Sequence, residues 1–221
     1  MPKSSTPITE EITPDDITHW REEDVANLAY SDEDARERML FERAQQIEEK
    51  EQKKEKSKPK SDLLELVGTT TIPRTTTKFI ANKHFVRDTS DTATAKISYL
   101  GDNFTSWFLD KTEDSMPCTI LRADTLLKSS KDAPIITELG GKAKAQTTLT
   151  ELFSLMTTQP KGEPGTLLID GRWNIFYILD VALVLRAVCV DWGGDGWSVD
   201  AYSVGSPSVW GGGRRVFSRN F

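Results

Sequence analysis

The chain has 221 residues, 37% of them hydrophobic, with a net charge of −6, which allows one or two domains and a sizeable core. Residues 1–62 carry 11 Lys and Arg against 17 Asp and Glu, so they account for the whole net charge and leave the rest close to neutral. Such a balance argues against a nucleic-acid binder, which needs basic patches to displace counterions.

The two cysteines, Cys118 and Cys189, form neither a disulfide framework nor a metal-type spacing. The N-terminus, MPKSSTPITEEITPDD, lacks the apolar run of a signal peptide. The longest apolar stretch, Val181 to Val190, is interrupted by Arg186 and is too short to span a bilayer. The expectation is a cytoplasmic protein without membrane insertion, or one exported by another route.

Residues 1–15 are polar, contain three prolines and read as disordered. Asp15 or Asp16 is placed to cap a first helix with a patchy apolar face of Ile17, Trp20, Val25 and Leu28. Ser31-Asp-Glu-Asp caps a second, strongly charged helix from Ala35 to about Lys56, whose narrow apolar stripe ends at Ile47. LLELVG at 63–68 suits a short helix or a strand. The following TTTIPRTTTKFIANKHFV has high β-propensity, with Pro73 at an edge or turn. Ala95–Tyr99 and Ser106–Leu109 read as short elements around a turn at Gly101-Asp102-Asn103. Thr119–Leu127 is ambiguous between strand and helix.

Thr147 to Gln159 is predicted helical. Leu149, Leu152, Phe153, Leu155 and Met156 share one face, and Pro160 stops it. An antiparallel meander is predicted next. Thr166–Ile169 turns through Asp170-Gly171 into Trp173–Leu179. Val184–Val190 follows, then a turn at Gly193-Gly-Asp-Gly, a strand over Trp197–Val204 and a closing strand over Arg215–Phe217. In Trp197–Val204 the alternation sets Trp197, Val199 and Ala201 against Ser198, Asp200 and Tyr202.

No set of residues converges on catalysis. His19 and His84 lack a second ligand at metal spacing. His84 with Cys118 carries no surrounding nucleophile signature. Gly140-Gly141-Lys142 departs from a phosphate-loop pattern and reads as a turn before a helix. Gly211–Arg215 reads as a loop before a strand. Asp191, Asp195 and Asp200 lie near one another without a recognised calcium-ligand spacing.

The tail, Asp191 to Phe221, is compositionally distinct. Four of the six tryptophans lie from Trp173 onward and seven of the fourteen glycines from Gly193 onward. From Ala187 to the end there is no Lys, Glu, Gln, Met or Thr. Large aromatics alternate with Gly, Ser, Asp, Tyr and Arg, the residue types of a recognition surface.

Two resemblances follow. KISYLGDNFTSWFLDKTED (96–114), TTLTELFSLMTTQPKGEPGTLL (147–168) and NIFYILD (174–180) resemble a family of uncharacterised proteins from small-genome, mostly uncultivated bacteria; with the tail, the resemblance spans roughly residues 78–221. It implies boundaries and no chemistry. The tail is similar to the variable region of proteins diversified by diversity-generating retroelements, in which randomised adenines replace codons within a restricted set that includes Gly, Ser, Asp, Tyr and Arg. Gly193, Gly194, Asp195, Ser198, Asp200, Tyr202, Gly205, Ser206, Ser208, Gly212, Arg214 and Arg215 belong to that set. The resemblance makes Trp192, Trp197, Val199, Ala201, Ser203, Val204, Pro207, Trp210, Val216, Phe217, Ser218 and Arg219 a constant frame. The closing GGRRVFSRN is like the strand that ends such regions in C-type-lectin-like folds.

The expected protein is therefore α+β. A charged, helical and disordered arm (1–62) precedes a domain (63–221) that ends in an antiparallel sheet, for which the resemblance of the tail implies a C-type-lectin-like fold. Its expected function is non-catalytic binding of a protein or carbohydrate through residues 187–221. Trp192, Asp195, Ser198, Asp200, Tyr202, Trp210, Arg214 and Arg215 are the candidate ligand-binding residues, without cofactor or metal. The alternative is a structural or adaptor protein that interacts through its charged N-terminal helix.

Overall fold

A computed structural model describes residues 62–219. The expected arm and its two helices lie outside the described residues. The domain is α+β, built on a mixed sheet of mostly antiparallel strands. LLELVG resolves as strand: β1 spans Leu64–Ile72 and ends at Pro73. A two-stranded ribbon pairs β2 (Phe79–Ile80) with β4 (Thr112–Glu113), and between them lie α1 (Ala81–His84), β3 (Ile97–Leu100) and α2 (Asp102–Phe108). β5 (Thr119–Leu126) settles the ambiguous stretch as strand. Then come α3 (Asp132–Glu138), α4 (Lys142–Ala145), β6 (Gln146–Thr147) and α5 (Leu149–Thr158). The chain closes with β7 (Asn174–Leu179), β8 (Leu185–Trp192), β9 (Trp197–Ser203) and β10 (Arg215–Arg219).

The sheet order is β1-β5-β10-β7-β8-β9-β3, with β6 also pairing to β7. β7, β8 and β9 form the expected antiparallel meander. β10 departs from expectation. It does not close the meander but inserts at the centre, antiparallel to β5 and parallel to β7. β7 is buried along nearly its whole length on both faces, so its sequence NIFYIL carries no alternation.

Helices cover both faces. On one face Phe176, Ile178, Val188, Val190 and Phe217 pack with Phe85 and with Phe104 and Phe108 of α2, and with Leu152 and Phe153 of α5. On the other, Ile175, Tyr177, Ala187 and Val216 pack with Ile135 and Ile136 of α3 and Ala145 of α4. Adjacent residues of one strand thus serve different cores.

Two local expectations are corrected. Gly101-Asp102-Asn103 is not a turn but the start of α2, with Gly101 as N-cap and Asp102 in the first turn, where a carboxylate suits the helix dipole. No strand forms over Thr166–Ile169, so the Asp170-Gly171 hairpin is absent. Side chains take the place of a ladder there. Gln159 Oε1 accepts from Leu167 N at 2.8 Å, and Asn174 Oδ1 accepts from Leu168 N at 2.8 Å while its Nδ2 donates to Leu168 O and Val190 O. Asp170 turns back on Arg172 instead.

Candidate binding site

The tail folds onto the sheet face that carries α3 and α4, where Val204 and Trp210 pack against its core. Along β9 the predicted alternation holds. Trp197, Val199 and Ala201 are fully buried, while Ser198, Asp200 and Tyr202 point to the other face. After Ser203 the chain leaves the sheet and returns at Trp210, which makes a reciprocal backbone bridge with Ser130 (Ser130 N to Trp210 O, 3.0 Å; Trp210 N to Ser130 O, 2.8 Å). Gly213, at φ +83°, then turns the chain into β10, its N–H donating to Leu126 O.

The bridge sets the Trp210 indole beside the first residue of α3. Asp132 is 3% exposed. Its Oδ1 accepts from Trp210 Nε1 at 2.7 Å and from the Tyr177 hydroxyl at 3.0 Å, and its Oδ2 from Gly205 N at 3.4 Å. α3 begins here because an acidic residue suits its first turn and Pro134 is tolerated there. Burial and the adjacent Asp132 carboxylate push the Tyr177 phenol far above its ordinary value, so it stays a donor.

A pocket of about 210 Å³ opens beside this group, and its lining includes Asp132, Trp173, Tyr202, Val209, Trp210 and Arg214. Tyr202 meets Trp210 edge to face, centroids 5.8 Å apart. Arg214 Cζ lies 5.7 Å from the Trp210 ring centre. The Tyr202 hydroxyl donates to Asp200 Oδ2 at 3.1 Å; burial first, and the Asp200 charge second, push its phenol up to about 12.

Of the eight candidates, the structure brings Tyr202, Trp210 and Arg214 together in this pocket, with Asp200 bonded to Tyr202. Ser198 lies on the same face farther along β9. Asp195 sits in the exposed β8–β9 turn. Trp192 and Arg215 belong to the opposite face. Trp192 packs edge to face on Trp197 at 5.3 Å, over Gly162, where a Cβ would overlap the indole. Arg215 Nη1 donates to Thr166 O at 3.0 Å, and burial lowers its pKa. The strand alternation puts it beside Phe217, away from the pocket.

Asp132 and Trp173 are the site residues that sequence reasoning missed. Asp132-Ala-Pro is legible as a helix start, but nothing local ties it to Trp210, 78 residues away. Elsewhere, His84 stacks on Phe79 at 4.3 Å and burial lowers its pKa, while Cys118 is exposed. Among the described residues no group of three or more His, Cys, Asp or Glu stands together in a way that holds a metal ion, and no helix is long and apolar enough to cross a membrane. No protein-family model, curated protein or solved structure matches the chain.

Proposed function

We propose that the protein is a non-catalytic binding module that recognises a protein or a small ligand through the face carrying Tyr202, Trp210 and Arg214, and that its tail is a diversified recognition surface of the kind found in retroelement-varied, C-type-lectin-like proteins. One observation carries the reading. None of the positions in the replaceable set, from Gly193 to Arg215, is buried, whereas Trp197, Val199, Ala201, Val216, Phe217 and Ser218 of the frame are. Six of the twelve frame positions are thus buried, and none of the replaceable ones. A Cβ at Gly193 meets nothing nearer than 3.6 Å, while one at Gly196, outside the replaceable set, would stand 2.7 Å from Ser98 N; Gly194 (φ +94°) and Gly205 (φ +93°) face open space but hold a left-handed backbone that favours glycine.

Sequencing this gene across a natural population tests the reading. Substitutions are expected to concentrate at Gly193, Gly194, Asp195, Ser198, Asp200, Tyr202 and Arg214, with Gly196, Trp197 and Trp210 fixed, and to exceed those at the more exposed residues 87–92 outside the tail. Variation spread evenly over all exposed positions, or an invariant tail, would overturn it.

A further inference from the structure

The pocket holds two opposite charges that do not pair with each other. Asp132 is all but buried, and its carboxylate is held only by neutral donors. A carboxylate offers about four acceptor positions, and Oδ2 has only the 3.4 Å bond from Gly205 N. No Lys or Arg among the described residues forms an ion pair with it. Arg214 lines the same pocket, and its guanidinium makes no hydrogen bond or ion pair among the described residues; it lies beside the Trp210 ring. A buried charge without a counter-ion is costly, and the cost is recovered when a partner ion completes it. The pocket walls, Trp173, Tyr202 and Trp210, offer aromatic surface that attracts cations and covers hydrocarbon.

We infer that this pocket takes a small zwitterion of amino-acid size, its ammonium group donating to Asp132 and its carboxylate accepting from Arg214. The inference rests on the binding-surface reading above and names the ligand class. A neutral sugar supplies hydroxyls but completes neither charge. An amine alone completes Asp132 and adds repulsion against Arg214; an acid alone does the reverse. A volume of about 210 Å³ suits one such molecule rather than a polymer segment. The two halves differ in origin. Asp132 and Trp173 lie outside the tail and Trp210 is in its frame, whereas Arg214 and Tyr202 are in the replaceable set. The ammonium half is therefore the constant part of the site, and the acid half is the part that changes with the tail.

The test is titration of the ¹⁵N-labelled full-length protein, following the Trp210 and Trp192 indole N–H signals. The probes are glycine, leucine and phenylalanine, then 3-methylbutylamine, 4-methylpentanoate and methyl glucoside. At least one amino acid is expected to move the Trp210 signal and leave Trp192, on the opposite face, in place. The amine and the acid should bind about tenfold more weakly or worse, the worth of one charge-assisted hydrogen bond. Asp132→Asn keeps an acceptor for Tyr177 and Trp210 and should weaken amino-acid binding by about tenfold or more. Arg214→Gln should erase the preference for amino acid over amine, and this partly exposed position carries the test if Asp132→Asn does not fold. If the amine binds as tightly as the amino acid, or if only the sugar moves Trp210, the zwitterion assignment is overturned while the binding-surface reading stands. If no probe moves Trp210 the assignment is also overturned, and the natural-variation experiment, which needs no ligand, still decides the broader reading.

Discussion

Asp191 stands on β8 opposite Ser198, with its Oδ1 buried and without a hydrogen-bond partner. Burial raises its carboxyl above the ordinary value of 3.8. A folded-state value above the unfolded one means that the folded protein prefers the proton. The stability linked to it is present at low pH and lost as pH rises through the raised value. Asp191→Asn removes the charge and keeps the shape. The variant should be more stable than the parent at neutral pH, with an advantage that shrinks as pH falls through the raised value and is gone below the ordinary value of 3.8. Thermal melting of both proteins across that range checks it, and an advantage independent of pH would sink the explanation. At the same scale the sequence separates poorly what the fold separates well. Asp200 bonds to Tyr202 at the pocket, and Asp195 is solvated in a turn, yet as letters the three aspartates look alike.

α5 shows how far one element is legible. Its apolar spacing and the stop at Pro160 announce it, and the structure adds a capping box: Thr148 Oγ1 accepts from Glu151 N, and Glu151 Oε2 accepts from Thr148 N. Thr148→Ala should cost about 1 kcal/mol in urea unfolding; an unchanged midpoint would show that the box contributes nothing. What the element's own sequence does not contain is the second cap. Glu113, from the β2–β4 ribbon, accepts from Leu149 N, Thr150 N and the Thr150 hydroxyl. Burial works to raise its carboxyl, but Lys111 and these bonds outweigh it and hold the group below its usual range. The Asp170-Gly171 stretch is the opposite case. A local hairpin signal lost to Gln159 and Asn174, whose side chains had already taken the backbone groups that a ladder needs.

At the scale of the whole molecule, β10 makes the tail part of the core. Val216 and Phe217 serve opposite faces, and Phe217 stacks on Phe176 at 4.4 Å with the rings nearly parallel. A chain ending at Gly213 would expose the facing edges of β5 and β7 and empty both cores at once. It is expected to lose its near-UV circular dichroism and its cooperative melt. A truncated protein that still melts cooperatively would show that β10 is dispensable. The same insertion supports the binding proposal, because a surface held by a central strand keeps its shape while its exposed residues change.

The sequence by itself determined the helix α5, the meander of β7 to β9 and the alternation that sets Ser198, Asp200 and Tyr202 opposite a buried row, because each follows from periodicity over a few residues. Only the tertiary structure decided that Asp132 meets Trp210 and that Arg214 faces the pocket while Arg215 turns away. The first depends on a bridge between Ser130 and Trp210, remote in sequence. The second depends on where a central strand begins, since in a period of two a shift of one residue reverses every face. Local chemistry limits what each segment can be, but long-range pairing chooses which residues share a site.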